Sequence, residues 1–140
     1  MACIFDLVRD QETHRADSNQ TVLEAARLMV EHNIGAVPIV SDDVLIGIFS
    51  ERDLMKRVVV EGLDPATTRV CDVMTENPLT VEPHTDMENC RQLMRRHGFR
   101  HLPVCEGKKL RGLVSLRDIV LHDLSEKDDE VRMMRAYIQS

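Results

Sequence analysis

The chain has 140 residues, 43% of them apolar, and sets 18 basic against 24 acidic side chains for a net charge of −6. That apolar share excludes a disordered chain and suffices for one compact unit with a real core. The acidic balance argues against a broad footprint on DNA or RNA, and an aromatic content of 3% argues against base-stacking platforms for single strands.

The start, Met1 to Val8, has no basic lead-in and is interrupted by Asp6, so it does not read as a signal peptide. No apolar run approaches the roughly 18 to 20 residues that span a bilayer. From Thr21 to Asn33, Val22, Ala25, Ala26, Leu28 and Met29 recur at helical spacing, and Ile34-Gly35 ends that helix. Ala36 to Val40 reads as a strand, Ser41 to Asp43 as a turn, and Val44 to Phe49 as the returning strand. Ser50 opens a helix running toward Gly62, and Pro65 to Thr68 links it to a second half.

There the plan repeats. Pro78 to Val81 is expected as a short strand, followed by a helix carrying Met87, Cys90, Leu93, Met94 and His97. His101 to Cys105 and Leu110 to Val114 form the next hairpin around Glu106-Gly107-Lys108, and Ser115 starts the closing helix. The expected class is α+β, each half β-α-β-β-α. Neither half is expected to bury its sheet alone, so the two pack face to face about a pseudo-twofold axis. The expected units are residues 1–66, the first repeat with its N-terminal segment, residues 67–124, the second repeat, and residues 125–140, an added helix. Val131, Met134 and Ile138 share one face of that last helix, which either docks on its own domain or contacts a second subunit or partner. Arg91, Arg95 and Arg96 read as a solvated helix face.

Cys3, Cys71, Cys90 and Cys105 include no C-x-x-C and no ligand spacing, which favours free thiols in a reducing cytoplasm over disulfides or a metal site. His32 and His97 occupy equivalent helix ends and read as structural; His14, His84 and His122 read as isolated.

The duplication is explicit at one motif. Gly47-Ile-Phe-Ser-Glu-Arg-Asp53 returns as Gly112-Leu-Val-Ser-Leu-Arg-Asp118, an offset of 65 (112 − 47) that also pairs His32 with His97 and Pro38 with Pro103. A Ser-x-x-Asp at a helix start is by itself a capping box. Capping needs neither the arginine nor the glycine, and ligand binding supplies a reason for both. Ser50 and Ser115 add hydroxyls to helix N-termini suited to phosphate, Arg52 and Arg117 neutralise its charge, and Asp53 and Asp118 can accept two hydrogen bonds from a ribose diol. Gly47 and Gly112 leave room for close approach.

Taken with Leu28-Met29, Pro38-Ile39-Val40 and their second copies, this pattern resembles the CBS-domain pair, or Bateman module, over about residues 10 to 124. The resemblance implies tandem CBS repeats with two inter-repeat clefts that bind AMP, ADP, ATP, NAD(H) or S-adenosylmethionine. It places Asp53 and Asp118 on the ribose-binding aspartate and Ser50 and Ser115 on the hydroxyl near phosphate. Arg100 and His101 fall where related modules carry basic phosphate contacts, which favours the Asp118 cleft as the tighter one. It also implies a homodimer. The expected function is a regulatory adenine-nucleotide sensor that signals in trans to an unidentified protein, with no catalytic cofactor, metal, nucleic acid or membrane partner. The alternative is a ligand-free dimerisation or adaptor module. An enzyme such as inosine-monophosphate dehydrogenase is disfavoured, because the chain has no P-loop and no G-x-G-x-x-G.

Overall fold

A computed structural model of the chain describes residues 2–139; Met1 and Ser140, which bound the outer expected units, lie outside the described residues. In chain order come α1 (Phe5–Val8), β1 (Ala16–Asp17), α2 (Val22–Glu31), β2 (Ala36–Ser41), β3 (Val44–Ser50) and α3 (Glu51–Asp53), which runs on as π-helical turns over Leu54–Val59. After a 3-10 turn at Val70–Asp72 follow β4 (Thr75–Glu76), α4 (Met87–His97), β5 (His101–Glu106), β6 (Lys109–Ser115) and α5 (Leu116–Gln139). Among the described residues no helix is long and apolar enough to cross a membrane.

Local chemistry accounts for most boundaries. Thr21 caps α2 by accepting from Glu24 N, and Asp86 caps α4 by accepting from Asn89 N. Gly98, at a φ of 69°, ends α4 in the left-handed conformation. The β2–β3 hairpin turns on Asp42 and Asp43, both at positive φ, the twist that a two-residue loop requires. Both hairpins carry an irregularity at equivalent places, between Ile39 and Val40 and between Val104 and Cys105. The expected strand at Pro78–Val81 is reduced to one parallel bridge, Val81 with Val104, while β4 pairs antiparallel with β3.

The five main strands run in the order β1-β2-β3-β6-β5. The hairpins meet only near their turns, where Val44 pairs with Lys109 and Leu45 N donates to Lys108 O. Beside that join, Val40 and Leu45 pack with Cys105 and Leu110, their counterparts at the 65-residue offset. The pseudo-twofold axis therefore passes through this small cluster.

Two larger cores flank it, and each draws residues from both halves of the chain, as expected if neither half buries its sheet alone. Val22, Met29, Val37 and Phe49 centre one, and Met87, Met94, Leu102 and Val114 the other. Phe49 and Val114 are fully buried, each stabilising the fold by roughly 1.5–3 kcal/mol. Each core is completed by the segment that precedes the other repeat in the chain. Val70, Val73 and Met74 fold back on the first half, and Ile4 and Val8 on the second. Ile4 N donates to Thr85 O and Phe5 N to Pro83 O. The N-terminal segment, grouped by chain order with the first repeat, thus packs on the core of the second.

Two further expectations change. The segment from Ser125 continues α5 without a break, because no glycine or proline interrupts residues 116–139. It is exposed at every described position rather than docked on its own domain. Arg91 is not merely solvated: it is half-buried, donates to both oxygens of Asp123 at 2.7 Å and pairs with Glu88, tying α4 to α5.

Candidate functional site

Both motifs form the capping box at a strand-to-helix junction. Ser50 N donates to Asp53 Oδ2 at 3.0 Å and Asp53 N to Ser50 Oγ at 3.2 Å. Ser115 N donates to Asp118 Oδ2 at 2.9 Å and Asp118 N to Ser115 Oγ at 3.0 Å. The residue just before β2 or β5 supplies the first helical N–H with an acceptor in each repeat: Glu51 N donates to Gly35 O and Leu116 N to Arg100 O. To this point the copies are superposable.

They part at the rest of the carboxylate. Asp53 is only 8% exposed, and Thr75 Oγ1 donates to its Oδ1 at 3.2 Å. Arg57 Nε stands 3.8 Å from the same oxygen, while Arg57 Nη1 donates to Met74 O at 2.6 Å. β4 and the π-helical turn thereby close over Asp53. Arg57 has His122 as its counterpart (57 + 65), and the described partner of His122 is Glu126 rather than Asp118. Among the described hydrogen bonds, Asp118 engages only Ser115.

Asp118 opens instead onto a cavity of about 380 Å³, inside the roughly 300–1,000 Å³ range of small-molecule sites. Ser115, Arg117, Leu121 and Leu113 form one wall, with His101 beside them. Asn33 to Ala36 of the first repeat form the second wall, and Gln11 to His14 the third. The third wall is held by Leu113 N donating to Gln11 Oε1 at 3.1 Å and by His14 stacking on His32, ring centroids 3.6 Å apart. His14, read as isolated, thus joins the cleft wall to the end of α2.

Of the expected site residues, His101, Ser115, Arg117 and Asp118 come together around this cavity. Ser50, Arg52 and Asp53 do not line it, and Arg52 is exposed. Arg100 is exposed and also outside the lining. Its backbone nonetheless lies beside the Asp118 motif, where its carbonyl accepts from Leu116 N. Burial pushes the His101 imidazole below its ordinary pKa, with Arg100 acting the same way, against the opposing pull of Asp118 and Glu51. His101 is therefore neutral near pH 7, a hydrogen-bonding group that a bound anion could charge.

Gln11 to His14 and Asn33 to Ala36 were missed from the sequence. Ile4-Phe-Asp-Leu-Val8 mirrors Val70-Cys-Asp-Val-Met74 at an offset of 66 (70 − 4), so the sequence marks each as the segment before its own repeat; their exchange between the halves rests on long-range contacts that no local pattern carries. As to metals, one nitrogen of His122 and one oxygen each of Asp123 and Glu126 lie within 4.8 Å of one another. Asp123 is already engaged by the Arg91 guanidinium, which neutralises the charge a cation would need.

The family model for the CBS domain matches the chain twice, over residues 11–60 and 70–125. CBS domain-containing protein YhcV of Bacillus subtilis is 38% identical over 109 residues, covering 78% of this chain and 77% of the relative. CBS domain-containing protein CBSX3, mitochondrial, of Arabidopsis thaliana is 36% identical over 127 residues; the match covers 87% of this chain and 62% of that longer protein. Among solved structures, a protein with CBS domains from Burkholderia ambifaria superposes with a TM-score of 0.82 at 33% identity, over 89% of this chain and 95% of that one. CBSX2 in complex with AMP superposes with a TM-score of 0.77 at 26% identity, over 91% and 99%.

Proposed function

As this chain belongs to the CBS-domain family and is a tandem pair of its repeats, we propose that it is a regulatory module binding an adenosine-containing ligand at Asp118. The observation carrying this reading is the difference between the two aspartates. One is closed over by Thr75 and Arg57, and the other faces a cavity walled by both repeats and the N-terminal segment. The AMP complex of CBSX2, which shares the fold, supports an adenine nucleotide as the ligand class.

In this reading Asp118 accepts both hydroxyls of the ribose diol, and Ser115 and Arg117 hold the first phosphate at the start of α5. His101 gives a further contact to the anion. Ser50, Arg52, Asp53 and Arg100 form a second, weaker site whose aspartate must give up Thr75 before it can take a diol. AMP, ADP, ATP and NAD(H) all present the adenosine half these groups address. A ligand touching three separate segments favours the arrangement in which they are closed together, which is how occupancy becomes a signal to a partner protein. The module assembles as a homodimer: Met55 and Val59 are exposed, and so are their counterparts Val120 and Leu124, giving two symmetry-related apolar faces. Its four unpaired cysteines fit a reducing, cytoplasmic setting.

Calorimetry with AMP, ADP, ATP, NAD, NADH and S-adenosylmethionine tests this. Asp118→Ala is expected to weaken the best ligand about tenfold or more, since a hydrogen bond to a charged group contributes about 1.5–3 kcal/mol. Asp53→Ala should leave that affinity within about threefold. A larger loss in Asp53→Ala reverses the assignment of the site. No binding by folded, nucleotide-free protein moves the reading to the ligand-free adaptor.

A further inference from the structure

The Asp118 cavity is poor in positive charge. Arg117 is the single lysine or arginine in its lining, against the carboxylates of Glu12 and Asp118. Burial holds the His101 imidazole below its ordinary pKa, so it adds no charge near neutral pH. Arg52 and Arg100 are exposed and outside the lining. Beyond Gln11, Arg9, Lys109 and Arg111 border a separate hollow, where Arg9 pairs with Asp10 at 3.5 Å and Arg111 with Glu106 at 3.3 Å.

A third carboxylate reaches the cavity from the other repeat. Glu51 opens α3, and its N donates to Gly35 O. A Cβ on Gly35, which lines the cavity, would stand 3.6 Å from Glu51 Oε1 and 3.6 Å from His101 Cε1. The Glu51 carboxylate therefore lies at the cavity's edge, facing His101 across Gly35. With Asp118 it opposes the effect of burial on that imidazole. The counterpart of Glu51 is Leu116 (51 + 65), so this carboxylate is no part of what the motif repeats. Among the described residues no ion pair holds Glu12 or Glu51.

We propose that Glu51 and Glu12 are specificity-determining residues of this cleft and restrict its ligand to a nucleoside monophosphate. The inference rests on the adenosine reading of the site and adds to it the number of phosphates. One phosphate carries a charge of about −2 near pH 7. Arg117 and the N–H groups opening α5 meet that charge, and His101 can take up a proton beside it. Each further phosphate brings more negative charge to a cleft whose remaining charged groups are carboxylates. Like charges set against one another in this way oppose binding and so select between ligands that share the adenosine half.

Calorimetry of the full chain with AMP, ADP and ATP near neutral pH, without divalent cations, tests this. Affinity is expected to fall about threefold with each added phosphate, the size of one exposed charge pair. The gap between AMP and ATP should close in about 1 M salt, where the screening length shrinks to ~3 Å. Glu12→Gln with Glu51→Gln is expected to narrow that gap to about threefold at low salt, and Glu51→Lys to narrow it further in favour of ATP. Both nucleotides are measured on the same preparation, so the ratio does not depend on how much of a variant is folded. ATP bound by the unaltered chain as tightly as AMP overturns the proposal and leaves the adenosine reading standing. A gap that persists both in salt and in the double variant overturns it too, since cavity size and not charge then sets the limit. Binding of none of the three by folded, nucleotide-free protein removes the adenosine reading and the proposal with it.

Discussion

Asp53 and Asp118 make the same capping hydrogen bonds with their serines, so what separates them is a handful of second contacts. Thr75 and Arg57 hold the first carboxylate in a nearly water-free site. Thr75→Val removes one donor from that buried carboxylate and is expected to cost about 1–3 kcal/mol in urea denaturation, with ligand affinity unchanged. At the Arg57 counterpart, His122→Arg supplies a guanidinium able to reach Asp118. The expected outcome in calorimetry is weaker ligand binding, and an unchanged affinity would deny Arg57 its closing role. His101 gives a pH signature. Its folded pKa lies below the unfolded value of about 6.5, so between the two the unfolded chain holds a proton that the folded chain lacks. Stability from this group is therefore present above pH 6.5 and lost as pH falls below it. The urea midpoint should decline below pH 6.5, less steeply in His101→Gln. A phosphate bound beside His101 would favour the charged imidazole, so binding near pH 6 should take up protons, read as a buffer-dependent calorimetric heat.

Among the elements, the two lead-in segments matter most, because each lies against the glycine that starts the other repeat's motif. A Cβ on Gly112 would stand 2.8 Å from Val8 Cβ and 3.1 Å from Gln11 Oε1. On Gly47 it would collide with Met74 Sδ and stand 2.8 Å from Thr75 O. Alanine at either position should cost about 1–3 kcal/mol through overpacking. Only Gly112→Ala displaces the segment that continues into the Gln11–His14 wall, so only it should also weaken ligand binding. Equal effects of the two variants on affinity would separate that wall from the site. At this scale the sequence was legible where interactions are local. The hairpin turns, the caps and the helical spacing of α2 and α4 are written within a few residues of one another. The α5 boundary was not, because two adjacent helices and one long helix have the same composition when no glycine or proline marks a stop.

For the whole molecule the duplication produces a body that is symmetric in its cores and asymmetric in its clefts. The Asp118 site should therefore fill first, and titration with the best ligand should show one strong equivalent per chain before any second. Two equal, independent sites would contradict the closed state of Asp53. One element joins the cleft to the surface: α5 carries Arg117 and Asp118 at the cavity and ends in the exposed tail.

The sequence by itself determined the tandem repeat, the β-α-β-β-α order and the two Ser-x-x-Asp boxes. Those features rest on spacing, on hydrogen bonds three residues apart and on an offset that can be counted. Only the tertiary structure decided which aspartate stays open and that residues 4–14 pack on the second repeat. Each of these depends on contacts between residues far apart in the chain, such as Thr75 with Asp53 or Gln11 with Leu113. Identical local motifs meet different neighbours when two halves close around one axis, and the neighbours decide whether a carboxylate is a structural cap or a binding group.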